Sequence, residues 1–271
     1  MGRSKGLAAL VASLGAGLAV AFVAQQAAAA DLTPHRAIYS LSLGKADASG
    51  RFVNVGGAVK TTLERTCDAW ITAEQVNMLV DTQVGGQLKQ YLDFTGWESL
   101  DGKSYRFVAR SRTNGELKNY KGTAKSDPDR KGEAVYTQPK PLTMELPPGT
   151  HFYFGLSRWL IERAQTGATR AETTVFDGTD DTGPQRAVAF IIPLAKNGVK
   201  AKAGLGPLVE RPGWRVRLAF FPVGGTGAAP EYEVEVVMLD NSVTPRLEMV
   251  FPGFTAVQTL EKIEALNPPS C

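Results

Sequence analysis

Apolar and polar residues alternate with period two along much of the chain. Tyr232, Val234, Val236 and Met238 alternate with Glu231, Glu233 and Glu235, while Trp214, Val216, Leu218 and Phe220 alternate with Arg215, Arg217 and Ala219. Successive side chains of a strand point to opposite faces, so this spacing sets one face on a core and the other in water. Weaker copies recur at 37–43, 52–63, 70–80, 88–94, 105–112, 133–138, 173–176, 187–192 and 247–251. The dipeptides Asp101-Gly102, Asn114-Gly115 and Asp240-Asn241 between extended runs are hairpin signals. One segment departs from the rhythm. Between Thr150 and Thr166 the residues Phe152, Leu156, Trp159 and Leu160 fall at helical spacing, with Thr150 placed as N-cap and Gly167 as the residue past the C-cap.

These elements predict a mainly β protein. Residues 255–264 alternate well enough to favour a strand over a second helix, and the Gly-rich stretches 196–206 and 224–230 are expected to be long hairpin loops. No internal repeat interrupts the chain. A dozen or so strands do not form an open flat sheet. The expected architecture is therefore one long antiparallel sheet wound into a β-spiral, an incomplete barrel, around one amphipathic helix.

Composition adds a compartment. Arg3 and Lys5 precede an uncharged apolar stretch from Leu7 to Val23 and a run of small residues, Ala27 to Ala30. That order is a secretory signal peptide with cleavage after Ala30, leaving residues 31–271 as one soluble, periplasmic domain that does not span the membrane. Without Arg3 and Lys5 the basic residues nearly balance the 27 acids, so nucleic acid is not an expected partner. The only two cysteines, Cys67 and Cys271, enter an oxidising compartment. A mutual disulfide is the default there, and two buried free thiols are the alternative.

Catalytic patterns are weak. Asp181-Thr182-Gly183 matches the aspartic-protease triplet, but it follows Asp177-Gly178-Thr179-Asp180 rather than a buried strand and fits an acidic turn. The same acids miss the EF-hand spacing. Ser42-Leu43-Gly44-Lys45 lies in a strand pattern, not at the helix start that an S-x-x-K nucleophile needs. His35 and His151 are the only histidines, too few to build a zinc site without free cysteines, and the cysteines form no C-x-x-C. The basic stretch Lys118, Lys121, Lys125, Arg130 and Lys131 fits a solvated hairpin. No catalytic residue, metal or cofactor is therefore expected. The candidate ligand-binding residues are the aromatic and apolar positions Phe152, Leu156 and Trp159 of the helix with Trp214, Phe220 and Tyr232 of the strands. They either form ordinary core or wall an apolar groove.

The run Pro34-His35-Arg36-Ala37-Ile38-Tyr39, the Cys67-Asp68-Ala69-Trp70 element, Phe176-Asp177-Gly178, the Glu231–Glu235 run, the Met238–Asn241 turn, Gly253-Phe254 and the terminal Cys271 resemble the envelope integrity protein B family of alphaproteobacterial periplasmic proteins. The resemblance spans residues 32–271. It implies a β-spiral closed by a disulfide mapped onto Cys67 and Cys271, similar in shape to the LolA, LolB and RseB lipoprotein carriers and sensors. It also implies a non-enzymatic role in envelope integrity and stress resistance. Expected partners are a lipid, a lipoprotein or a periplasmic envelope protein held on the concave face. The alternative is a scaffold for envelope-building enzymes with a fully packed interior. The basic, Gly-rich loop 196–211 matches nothing in that pattern.

Overall fold

The computed structural model describes residues 32–48, 50–195, 202–225, 227 and 229–271, and the expected signal peptide, residues 1–30, lies outside them. Eight strands come first: β1 (His35–Ala46), β2 (Phe52–Arg65), β3 (Ala69–Thr82), β4 (Gln87–Ser99), β5 (Ser104–Thr113), β6 (Glu116–Lys125), β7 (Gly132–Gln138) and β8 (Leu142–Leu146). A helix, α1 (Tyr153–Gln165), follows. The chain then adds β9 (Arg170–Val175), β10 (Gln185–Pro193), β11 (Gly213–Pro222), β12 (Tyr232–Leu239), β13 (Arg246–Phe251) and β14 (Phe254–Ala265).

One 14-stranded sheet holds them in the order β8-β7-β6-β5-β4-β3-β2-β1-β14-β13-β12-β11-β10-β9. Sequence neighbours pair antiparallel, and β1 against β14 joins the two halves, with His35 opposite Ala265 and Leu41 opposite Gln258. The edges are thus β8 and β9. Laid flat, they would lie about 60 Å apart at roughly 4.8 Å per strand. Residues 147–169 alone connect them, and 13 residues of the connection are coiled into α1, which advances only about 1.5 Å per residue. The sheet therefore has to curl until its edges approach, and the connecting helix lies in the hollow. Just before α1, His151 makes a parallel bridge to Val175, with its N–H donating to the Thr174 carbonyl at 2.8 Å. This covers part of the β9 edge without closing the barrel.

Small residues decide where α1 sits. Ile161 and Ala164 pack into one core cluster with Ala187, Ala189 and Val216 of β10 and β11, and the Trp70 ring of β3 stacks on Phe154 at 4.5 Å. On the other flank Phe152 stacks on Tyr105 of β5 at 4.8 Å. The helix ends as expected: Gly167 has φ 78°, its N–H reaches the Ala164 carbonyl at 3.0 Å, and the Ala168 N–H reaches that of Arg163 at 3.1 Å, a Schellman closure. Its start differs. Thr150 does not cap the helix, because its hydroxyl donates to the Pro147 carbonyl at 2.7 Å and the N-cap position is Phe152.

The strands at 37–43, 52–63, 70–80, 88–94, 105–112, 133–138, 173–176, 187–192, 214–220, 232–238 and 247–251 all appear, and 255–264 is a strand, not a helix. Asn114 (φ 50°) and Gly115 (φ 93°) make the two-residue β5–β6 turn, both in the left-handed region. At Asp240-Asn241 the left-handed residue is Ser242 instead, while the buried Asn241 amide donates to the Leu208 carbonyl at 3.0 Å. The basic stretch lies in the β6–β7 hairpin, with Lys118, Lys121, Lys125, Arg130 and Lys131 all exposed, as expected. Its first part is the regular strand β6, whose inner face carries Tyr120, Gly122 and Ala124.

Cys67 and Cys271 form the expected disulfide, tying the β2–β3 turn to the C-terminal tail across 204 positions. Residues 196–201 of the Gly-rich loop lie outside the described residues. Its remainder forms a short 3-10 helix, Pro207–Val209, that buries Val209, and Arg211 pairs with Asp240 at 2.8 Å. Among the described residues, no helix is long and apolar enough to cross a membrane.

Candidate functional site

The interior between α1 and the sheet is not fully packed. One lobe, of about 270 Å³, lies between Phe152, Leu156 and Leu160 of the helix and the inner faces of β11 to β13, among them Phe220, Tyr232 and Val236. A second, of about 250 Å³, lies between Tyr153, Phe154 and Ser157 and the inner faces of β1 to β3 and β14, with Tyr39, Thr61 and Glu74. Tyr153, Ser157, Val234, Ser242, Thr244 and Leu247 line both lobes, which makes them one groove running along the helix.

Strand alternation builds this groove. Phe220 and Tyr232 are directly opposed across β11 and β12, and their rings stack at 4.4 Å. Phe152 at the N-cap and Leu156 and Leu160 of α1 recur every four residues and line the first lobe together. Of the six residues that the alternation and helical spacing singled out, Phe152, Leu156, Phe220 and Tyr232 meet in the groove. Trp159 and Trp214 lie outside both lobes. Trp159 sits one residue off the Leu156–Leu160 line and packs against the His151 ring at 5.5 Å, and Trp214 is 9% exposed in the core at the start of β11.

Of the polar groups in and around the groove, Glu74 and Glu98 come from positions that carried no motif, while Tyr39 and Asp177 stood in the Pro34–Tyr39 and Phe176–Gly178 runs. The Glu74 carboxylate on β3 faces the second lobe and accepts the Tyr153 hydroxyl at 2.9 Å. Desolvation pushes its pKa up, the Tyr153 bond pulls it back in part, and repulsion from Asp177 adds to the rise. Asp177, which lines the first lobe, is also pushed up, first by desolvation, although Thr179 donates to Oδ1 from both its N–H and its hydroxyl at 2.9 Å. Burial lifts the Tyr39 phenol to about 12. Behind the second lobe, the buried Glu98 of β4 takes the helix-capping role, accepting the Phe154 and Gly155 N–H groups at 3.0 and 3.2 Å. Each of these acids stands in the inward phase of its strand or turn. An acid in an otherwise apolar phase was the available signal: Glu74 follows Trp70 and Thr72 and precedes Val76 and Met78 on one face.

The turn carrying Asp177 is fixed by tyrosines. Tyr105 donates to the Asp177 carbonyl at 2.9 Å, Tyr136 to that of Asp180, and Tyr120 to the Asp181 carboxylate at 3.4 Å. Gly178 holds φ 75° here, and a Cβ would stand 2.5 Å from the Phe107 ring, so no other residue fits without displacing the turn. Asp181-Thr182-Gly183 is part of this turn, and Asp181 is exposed. Ser42 of the S-x-x-K string is exposed on the outer face of β1. His35 and His151 sit apart: the buried His35 ring contacts the Thr33 carbonyl at 2.7 Å, and burial holds His151 at about 4 with help from Arg158 and Arg163. Among the described residues, no group of three His, Cys, Asp or Glu side chains is placed to hold a metal ion.

An open, curled antiparallel sheet with a helix in its hollow and a groove between them defines the class of β-barrel-like proteins. A solved member, described as a β-barrel-like protein of domain of unknown function DUF1849 from Brucella abortus, superposes with a TM-score of 0.80 at 26% identity, covering 88% of this chain and all of that one. The model of the EipB-like family matches residues 26–267, and the chain belongs to that family. A curated relative, the cell envelope integrity protein EipB of Brucella abortus (strain 2308), is 29% identical over 248 residues, 89% of this chain and 87% of its own.

Proposed function

We propose that this chain is a non-enzymatic periplasmic protein that supports envelope integrity by holding the apolar chain of a lipid or of a lipidated protein in the groove along α1. The observation that carries the reading is the groove itself. Its first lobe presents Leu156, Leu160, Leu218, Phe220, Val236 and Met238 to a space that no side chain fills. Apolar surface left lining a cavity is an opportunity for burial that an acyl chain supplies at roughly 0.8 kcal/mol per methylene. The disulfide and the name of the Brucella relative support the compartment and the role.

Titration of the delipidated protein with a neutral fluorescent diacylglycerol tests this. The parent should bind with a blue-shifted, saturable signal. Leu156→Trp, which fills the first lobe from a half-buried position, should weaken that binding about tenfold or more for a modest stability cost of about 1–3 kcal/mol. Equal signals from parent and variant would place the lipid elsewhere and remove the groove from the account.

A further inference from the structure

We infer that the groove selects an amphiphile with a cationic, amine-type head, received by the Glu74 carboxylate beside Tyr153, while the apolar chain lies in the first lobe. This rests on the reading of the groove as an acyl-chain site and adds the chemistry of the head. The two lobes differ in kind. The first is walled mainly by aliphatic and aromatic side chains, whereas the second presents Tyr39, Thr61, Thr62, Thr72 and Glu74. Where they meet, the Ser242 hydroxyl is buried and has no hydrogen-bond partner. An occupant that satisfies both lobes has an apolar chain and a polar end, with the polar end near Glu74 and Ser242.

Charge then fixes which polar end. The groove carries two carboxylates, Glu74 and Asp177; the charge of Asp177 raises the cost of ionising Glu74, and that of Asp180 raises the cost of ionising Asp177. Among the described residues, neither lobe is lined by lysine or arginine, and the one histidine there, His35, is held neutral by burial. A phosphate, sulfate or carboxylate head would enter a region of like charge with no cation to meet it. An ammonium head does the reverse: it supplies the missing counter-charge and donates to carboxylate and hydroxyl oxygens, a charge-assisted bond of the stronger kind.

The test displaces Nile red, a neutral dye, from the delipidated protein with four single-chain probes of equal length: dodecylammonium, dodecanol, dodecyl sulfate and dodecanoate, each below its micelle concentration at neutral pH. Dodecylammonium should compete about tenfold more tightly than dodecanol, and the two anions more weakly than dodecanol. Glu74→Gln, whose amide oxygen still accepts the Tyr153 hydroxyl, should bring dodecylammonium to the level that dodecanol shows in the same variant. Thermal melts of the variant check that the fold is kept, and Asp177→Asn provides a second variant with a smaller expected loss. Dodecanol binding without any preference for the amine, or a preference untouched by Glu74→Gln, overturns the head-group assignment and leaves the acyl-chain reading standing. Failure of Nile red and of all four probes to bind overturns both.

Discussion

A glutamate on the inner face of a strand is costly unless its charge is claimed. Glu98 is 3% exposed, and its carboxylate is claimed by two helix N–H groups and by the nearby Arg158 guanidinium. Desolvation still outweighs these partners and pushes the carboxyl from its ordinary 4.5 to about 7. The folded chain thus binds this proton more tightly than the unfolded one. The stability this gives is full below about pH 4.5 and is lost as pH rises through about 7, on the order of 3 kcal/mol in all. His151, held at about 4, works in the opposite sense, so the difference between parent and Glu98→Gln isolates the carboxyl. That difference in melting temperature should shift against the parent from about pH 5 to about pH 8; a constant offset would show that Glu98 does not titrate with the fold. At this scale the sequence revealed half of the site. Phe220 and Tyr232 stood in a clean alternation, but Glu74 and Glu98 were hidden because an acid in an apolar phase looks like a flaw in a strand until the hollow behind it is known.

Elements were legible wherever large residues marked the buried face. Strands β11 and β12 needed nothing beyond their Trp, Phe, Val and Arg alternation. Strand β6 escaped because its inward positions include Gly122, where a Cβ would stand 2.6 Å from the Phe107 ring, and Ala124, so its pattern shows lysines alternating with little. Five-residue β8 lies between Pro139, Pro141 and Pro147, which dominate the local sequence and limit further pairing at that edge. The start of α1 misled for a different reason: the cap comes from β4, far away in sequence, and no local motif records it. The tie between the β2–β3 turn and the tail makes its own prediction. Both cysteines are exposed and residues 267–271 are otherwise open to solvent, so the bond is the main constraint on that end. Cys67→Ser should lower the melting temperature by several degrees, against a chain-entropy ceiling of about 5 kcal/mol. Equal melting of variant and parent would mean that the tail contributes nothing to the fold.

At the scale of the molecule, topology produces the groove. Joining β1 to β14 makes one sheet from both halves of the chain, and the short β8–α1–β9 connection forces that sheet to curl around its helix. Small residues on β10 let α1 settle against one side, and the space left on its other side is the groove. The curl was predictable from strand number, and the helix from its periodicity. That the helix would leave a continuous hollow was not, because it depends on which face of α1 meets Ala187 and Ala189. Native mass spectrometry beside lipid extraction, on the full chain exported to a periplasm and purified without detergent, decides whether the groove holds an acyl chain. The parent should show the mature mass, disulfide intact, carrying an adduct that extracts as an acyl-chain amphiphile and is depleted in Leu156→Trp. A bare mass for the parent, matching that of the variant, would contradict the acyl-chain reading.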